Sequence, residues 1–237
     1  MLRRLQHRVL SHAYQLSKAK SRVGLYKMLA TSVAEFNLEI PAITLNVGAG
    51  GEVAGVISSS GAAPKSVDID PDRDPDIVAS VEDLHMIEDE SLDGVFCMEV
   101  LEHVRDPFSG ARELSRILKP GGVLIGSTPF LLGIHDAPND YFRFTKYGIG
   151  LLFPDLECVR ILPRNSAFEA SEVIVLRLFA VGTEQEKISL WWRLPFLRVA
   201  FYMFWLCGLG TQNTDATTGY FFVFRKKLDG ECRNSAK

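Results

Sequence analysis

The chain is poor in the residues that build metal and disulfide frameworks. Its four cysteines, Cys97, Cys158, Cys207 and Cys232, lie far apart, and none forms a C-x-x-C pair. Neither a zinc ribbon nor a disulfide scaffold is expected, and a reducing, cytoplasmic setting is the default. The five histidines contain no H-x-x-x-H pair, which argues against a helical zinc site. Asp68, Asp70 and Asp72 imitate the start of a calcium loop, but Arg73 and Ala79 stand where Gly and Glu are required. No metal is therefore expected. A G-x-S-x-G nucleophile elbow is missing too. The N-terminus shows no signal-peptide pattern, although its Arg-rich, acid-poor character is also that of a mitochondrial presequence.

Other classes fall on composition. With 47% hydrophobic and 23% charged residues among 237, the chain can bury a core and is not disordered. Its formal net charge of -3 names no partner, but the charge is unevenly spread. Residues 1–30 hold seven Lys or Arg and no acid, leaving 19 bases against 29 acids in the rest. An acidic body, with no aromatic platform among the N-terminal bases, argues against nucleic-acid binding.

Residues 2–16 place Leu2, Leu5, Val9 and Leu16 on one stripe with Arg3, Arg4 and Arg8 elsewhere, the pattern of an amphipathic helix. Such a helix either packs on the domain or lies on an anionic membrane. After Pro41 the pattern changes. Short β-branched runs at 43–47, 66–69, 77–79, 92–98 and 123–127 predict strands, with further strands at 157–162 and 220–225. Asp106-Pro107 reads as a helix cap followed by proline at the first helical position. Lys119-Pro-Gly-Gly122 reads as that helix's stop. This alternation predicts an α/β fold built on a parallel sheet.

Residues 188–210 are apolar at 17 of 23 positions, but Arg193, Pro195 and Arg198 interrupt them. The charge-free part, 199–210, is too short to cross a bilayer, which takes about 20 residues. It reads as a buried helix or as one lying in the membrane interface.

The first strand runs into Gly48-Ala-Gly-Gly51, a turn that lets backbone approach a ligand closely. A dinucleotide fingerprint would need glycine where Val53 stands, so hydride transfer is disfavoured. Asp68 lies 20 residues beyond Gly48 at the end of the second strand, where a carboxylate can accept hydrogen bonds from both hydroxyls of a ribose.

Five blocks in order resemble the class I S-adenosylmethionine-dependent methyltransferases of type 11. They are Leu45-Asn-Val-Gly-Ala-Gly-Gly51, Val67-Asp-Ile-Asp70, Val81-Glu-Asp-Leu84, Leu92-Asp-Gly-Val-Phe-Cys-Met-Glu-Val-Leu-Glu-His-Val104 and Arg112-Glu-Leu-Ser-Arg-Ile-Leu-Lys-Pro-Gly-Gly122. The resemblance implies a doubly wound, Rossmann-like sheet of seven mostly parallel strands with helices on both faces and an antiparallel last strand. It implies S-adenosylmethionine as cofactor. Asn46, Gly48 and Gly50 would lie beside the methionine and ribose, Asp68 and Ile69 at the ribose, Asp83 and Leu84 at the adenine, and Met98 and Glu99 by the sulfonium end. Two departures stand out: Asn46 replaces a frequent acid, and Glu52 stands where the usual third glycine would be.

The segment His135-Asp-Ala-Pro-Asn-Asp-Tyr-Phe-Arg-Phe-Thr145 resembles a block of bacterial methyltransferases linked to cell-surface polysaccharide or lipid modification. That resemblance implies His135, Asp136, Asp140, Tyr141 and Arg143 as acceptor-side, catalytic residues, with His103 more structural than basic. The organisation expected is a basic helical segment at 1–39 and a methyltransferase domain at 40–237 with an apolar helical insertion at about 166–215. The acceptor would be a small molecule, a sugar or a lipid-linked sugar, with peripheral membrane contact through 1–22 and 188–210. A catalytically silent scaffold of the same fold is the alternative.

Overall fold

The computed structural model describes residues 2–22, 24–50, 52–178, 191–207 and 213–228. Gly51, the ends of the apolar run at 188–190 and 208–210, and Cys232 lie outside them, as do the side chains of Leu2, Leu5 and Val9 on the expected stripe. The chain divides into two compact units.

The larger unit, residues 25–129, 134–162 and 220–237, holds a seven-stranded sheet. Its elements are α2 (Leu25–Glu35), β1 (Thr44–Val47), α3 (Glu52–Ser59), β2 (Lys65–Asp68), β3 (Ile77–Val78), β4 (Leu92–Met98), α4 (Pro107–Ile117), β5 (Leu118–Pro129), α5 (Lys146–Leu152), β6 (Leu156–Pro163) and β7 (Gly219–Lys226). The strand order is β3-β2-β1-β4-β5-β7-β6. β1 pairs in parallel with both β2 and β4, β2 with β3, and β4 with β5, while β7 enters antiparallel. The order reverses at β1, which places a crevice at the carboxyl ends of β1 and β4.

Strand alternation sorts the core onto two faces. Phe96 and Met98 of β4 pack with Val123, Ile125, Phe221 and Val223 against Leu25, Leu29 and Val33 of α2 and Val53 and Ile57 of α3. β7 turns Phe222 and Phe224 the other way, where both rings meet Phe153 at 5.9 and 4.9 Å. α4 starts as its sequence predicts: the Asp106 carboxylate accepts from the Phe108 and Ser109 amides, with Pro107 at the first position.

β5 departs furthest from its expected bounds, the other strands shifting by no more than one residue at either end. β5 begins at Leu118 rather than at Val123, because Lys119-Pro-Gly-Gly122 ends the helix yet continues in extended form alongside β4. The pairing of Leu92 with Leu118 is separated from that of Gly94 with Val123 by a register shift.

The smaller unit, residues 1–24, 130–133 and 163–219, contains α1 (Leu2–Ser21), α6 (Ala167–Leu178) and α7 (Leu194–Leu206). Leu10 and Ala13 of α1 form a buried cluster with Leu176 and Leu194, and Leu16 packs against it. Lys20 reaches Glu172 at 2.6 Å. Asn165 ties the unit together: its side-chain oxygen accepts from the Thr218 amide at 2.9 Å, and its amide nitrogen donates to the Lys20 carbonyl at 3.3 Å. Among the described residues no helix is long and apolar enough to cross a membrane.

Candidate functional site

The turn after β1 is built around Gly48 and Asp68. Gly48 has φ +88°, and a Cβ there would stand 2.8 Å from Val100 Cγ2, so only glycine fits without strain. Its amide donates to the Val67 carbonyl at 2.8 Å. Asp68, buried at the end of β2, accepts from the Ala49 amide at 2.8 Å and from the Asp70 amide at 3.0 Å. Arg73 Nη1 lies 3.5 Å from the same carboxylate, and a Cβ on Gly50 would come within 2.5 Å of that nitrogen. The arginine therefore lies over the glycine turn.

Asn46 stands just inside this turn. Its side-chain nitrogen donates to the Gly48 carbonyl at 3.2 Å, while its Oδ1 is buried without a hydrogen-bond partner among the described residues. A buried acceptor left unsatisfied costs about 1–3 kcal/mol, and an incoming ammonium group would satisfy it. Past β4, Glu99 adopts φ +57°, a left-handed conformation rare for a non-glycine residue and often found at ligand sites. Its carboxylate accepts from Ser127 Oγ at 3.1 Å and its amide donates to the Ser127 carbonyl at 2.9 Å. Met98 is buried beneath it, whereas Ile69 is largely exposed.

Asp83 is exposed and accepts from His85, with His85 Nδ1 at 2.8 Å; these hydrogen bonds hold its carboxyl below the usual range. Leu84 is buried, and its amide already donates to Glu113 at 2.8 Å. Glu113 in turn is gripped by Arg116, which also reaches the Leu84 carbonyl and Asp89.

The segment after β5 folds onto the end of β4. Asp140 has an almost fully buried side chain and takes two hydrogen bonds from Arg143, at 2.5 and 2.7 Å. Those bonds hold its carboxyl down at about 2, with help from the His135 amide, which donates to it at 2.8 Å. The same pairing raises the Arg143 guanidinium.

His135 is half-buried, and burial is the main cause that lowers its pKa, against the opposing pull of Asp140. Its ring meets His103 edge-on, centroids 4.9 Å apart. His103 Nδ1 lies 2.6 Å from the Asn139 carbonyl, which can only accept, so that nitrogen carries the proton. Glu102, fully buried, sits 3.7 Å from His103 Nε2 and 3.9 Å from His135 Nε2. Tyr141 donates to Asn139 Oδ1 and lies under Arg105. Asp136 faces solvent at φ +58°.

His135, Asp140 and Arg143 thus come together, Tyr141 stands beside them, and Asp136 does not join. The neighbourhood also brings in Glu102 and His103, and no short spacing connects them with His135. One ligand atom from each of Glu102, His103 and His135 lies within 4.8 Å of the others, close enough for a divalent cation. The missing C-x-x-C, H-x-x-x-H and calcium-loop spacings exclude only sites built from neighbouring residues, and two histidines 32 residues apart lie outside all three. Arg73 and Glu113 were likewise missed. Arg73 sits in an acidic, proline-broken stretch and Glu113 in a helical block, and neither carries a local signal for its partner. A separate cleft of about 600 Å³, lined by Phe36, Pro41, Asp93, Lys119 and Arg225, is at the amino ends of β4 and β5, the wrong side of the sheet for a ligand crevice.

The strand order, with a single antiparallel strand inserted next to the parallel set, is the deciding observation. The fold is that of the class I S-adenosylmethionine-dependent methyltransferases. Residues 45–126 match the family model described as a methyltransferase domain. The chain is 55% identical over 51 residues to a ubiquinone biosynthesis O-methyltransferase of Xanthomonas oryzae pv. oryzae (strain PXO99A), a match covering 22% of this chain and 21% of that protein. It thus spans about a fifth of the length of the curated relatives it matches.

Among solved structures, it is similar to an S-adenosylmethionine-dependent methyltransferase from Archaeoglobus fulgidus, with TM-score 0.55 and 18% identity over 90% of this chain and 99% of that one. It is also similar to a Burkholderia thailandensis 1,6-didemethyltoxoflavin-N1-methyltransferase solved with bound 1,6-didemethyltoxoflavin and S-adenosylhomocysteine. There the TM-score is 0.51 and the identity 13%, over 94% of this chain and 87% of that one.

Proposed function

We propose that the chain is an S-adenosylmethionine-dependent methyltransferase acting on a small or amphiphilic acceptor, with a lipid-linked sugar as one such acceptor. The observation that carries this reading is the buried Asp68 carboxylate clamped to the glycine turn at the reversal point of a sheet with this strand order. When bound, S-adenosylmethionine supplies a methyl group on a positively charged sulfur. The residues present fit it. Asp68 would take the ribose hydroxyls, Asp83 the adenine amino group, and the unsatisfied Asn46 Oδ1 the ammonium of the methionine part. Gly48 and Gly50 keep the turn low enough for backbone approach.

The acceptor hydroxyl must lose a proton as it attacks, and the loop offers two groups for that task. Asp140 is a poor base, since Arg143 stabilises its ionised form so well that its carboxyl stays near 2. Its task is positioning: it fixes the His135 backbone. His135 is kept neutral by burial and can accept a proton near neutral pH. Methyl transfer is otherwise a matter of alignment, which the Glu102–His103–His135–Asp140 packing holds rigid.

The test is methyl incorporation. Purified protein is incubated with methyl-labelled S-adenosylmethionine and panels of phenols, sugars, lipid-linked sugars and small acids. Transfer that His135→Ala removes supports the reading. Cofactor binding without transfer to any panel would leave the silent scaffold as the correct account.

A further inference from the structure

α7 reverses the usual order of a surface helix. Its packed edge is narrow: Leu194 is buried, Leu197 touches the α1–α6 cluster, and the Phe201 ring meets Phe168 edge-on at 5.6 Å. The remaining faces carry Phe196, Val199, Tyr202, Met203, Trp205 and Leu206, each 51–69% exposed. Soluble proteins rarely leave so many large apolar side chains contiguous and open.

The charges within residues 191–207 all have one sign. Arg193 and Arg198 are exposed, the Arg193 guanidinium lies 5.2 Å from the Trp192 ring centroid, and residues 191–207 contain no acid. In the same unit, residues 1–24 add six Lys or Arg and again no acid, with Arg8 exposed on α1. An apolar face set with tryptophan, tyrosine and arginine suits a lipid interface, where apolar groups sink and the polar tips stay at headgroup depth. Thirteen residues of helix extend only about 20 Å, so α7 would lie in the plane of the bilayer rather than cross it.

We infer that the smaller unit docks on an anionic phospholipid surface through α7, assisted by the basic residues of α1. This surface stands on its own, whether or not the sheet unit transfers methyl groups. Anionic lipid is favoured over an apolar protein groove because Arg193 and Arg198, both exposed, border the apolar face in a segment, residues 191–207, that contains no acid.

The full-length protein is sedimented with vesicles of phosphatidylcholine and phosphatidylglycerol in equal parts, and with phosphatidylcholine alone. Capture on the anionic vesicles is expected, weaker on the neutral ones and weakened by salt. The double variant Phe196→Ser/Trp205→Ser should lose about tenfold in vesicle affinity, and Arg193→Gln/Arg198→Gln several-fold, both keeping the wild-type circular dichroism spectrum. Quenching of wild-type tryptophan fluorescence by lipids brominated along the acyl chain supplies a readout that needs no variant. Failure of the folded wild type to bind, or absence of quenching, would overturn the inference. So would a lipid-free dimer that the apolar double variant dissociates, since a second copy would then be the occupant.

Discussion

The sheet unit and the helical unit treat polar and apolar surface in opposite ways. The sheet unit carries 24 Asp and Glu against 15 Lys and Arg, and the helical unit 5 against 11. In the first, the side chains of the candidate site are held in specific pairs: Asp140 by Arg143, Glu113 by Arg116, Asp68 by the Ala49 amide. In the second, large apolar groups along α7 are left open. A site for a small charged ligand needs groups fixed to within fractions of an ångström. A surface for lipid needs only area, depth and charge of the right sign. The difference predicts that changes in the sheet unit alter cofactor binding, turnover or loop stability without altering vesicle capture, and that changes in α7 do the reverse.

The comparison can be broken most sharply at His135. His135→Ala is expected to lower turnover about a hundredfold while leaving S-adenosylhomocysteine affinity and vesicle capture near wild type. Because burial lowers its pKa, the wild-type kcat/KM should be flat above neutrality and fall at a midpoint below about 6.5. A profile without that limb would remove His135 as the base.

Asp140 comes next. Its carboxyl near 2 lies below the unfolded value of about 3.9. A depressed folded pKa stabilises the protein fully above about pH 4, and that stabilisation disappears as pH falls toward 2; its size is about 2 kcal/mol. Asp140→Asn should therefore cost about that much in urea unfolding at neutral pH and little at the acid end. An equal loss at both ends would contradict the account.

Asp83→Ala should weaken S-adenosylhomocysteine about tenfold, the loss of one hydrogen bond to a charged group. The smallest contrast lies between two glycines. Gly48→Ala should cost about 1–2 kcal/mol, since φ +88° and Val100 both oppose it. Gly50→Ala should cost less, because the atom it meets is the mobile end of the Arg73 side chain. Thermal unfolding of the pair decides the order.

Much of the sheet was legible because its strands are short β-branched runs broken by Gly, Pro and Asp, and because the ligand turn follows directly from one of them. Asp106-Pro107 announced α4 through local capping chemistry alone. β5 begins before its β-branched run, since Pro120 and two glycines end a helix by the same local rules whether or not an extended strand follows. In the site, Asp140 and Arg143 come together through the resemblance of one contiguous loop block, in which they lie three residues apart. Glu102, His103 and His135 meet only through the fold, and the Leu84 amide finds Glu113 across 29 residues. No periodicity encodes such contacts. The apolar run at 188–210 was visible at once, but which of its faces is covered depends on α1 and α6, so sequence left burial and exposure open.

The central claim, that the acidic sheet unit holds an S-adenosylmethionine site organised by Asp68, is tested most directly by calorimetric titration of the purified protein and of Asp68→Ala with S-adenosylhomocysteine. The account predicts one site per wild-type chain with micromolar affinity, about a hundredfold weaker in the variant. A folded wild type that releases no heat with the ligand, or a variant that binds as tightly, would contradict it.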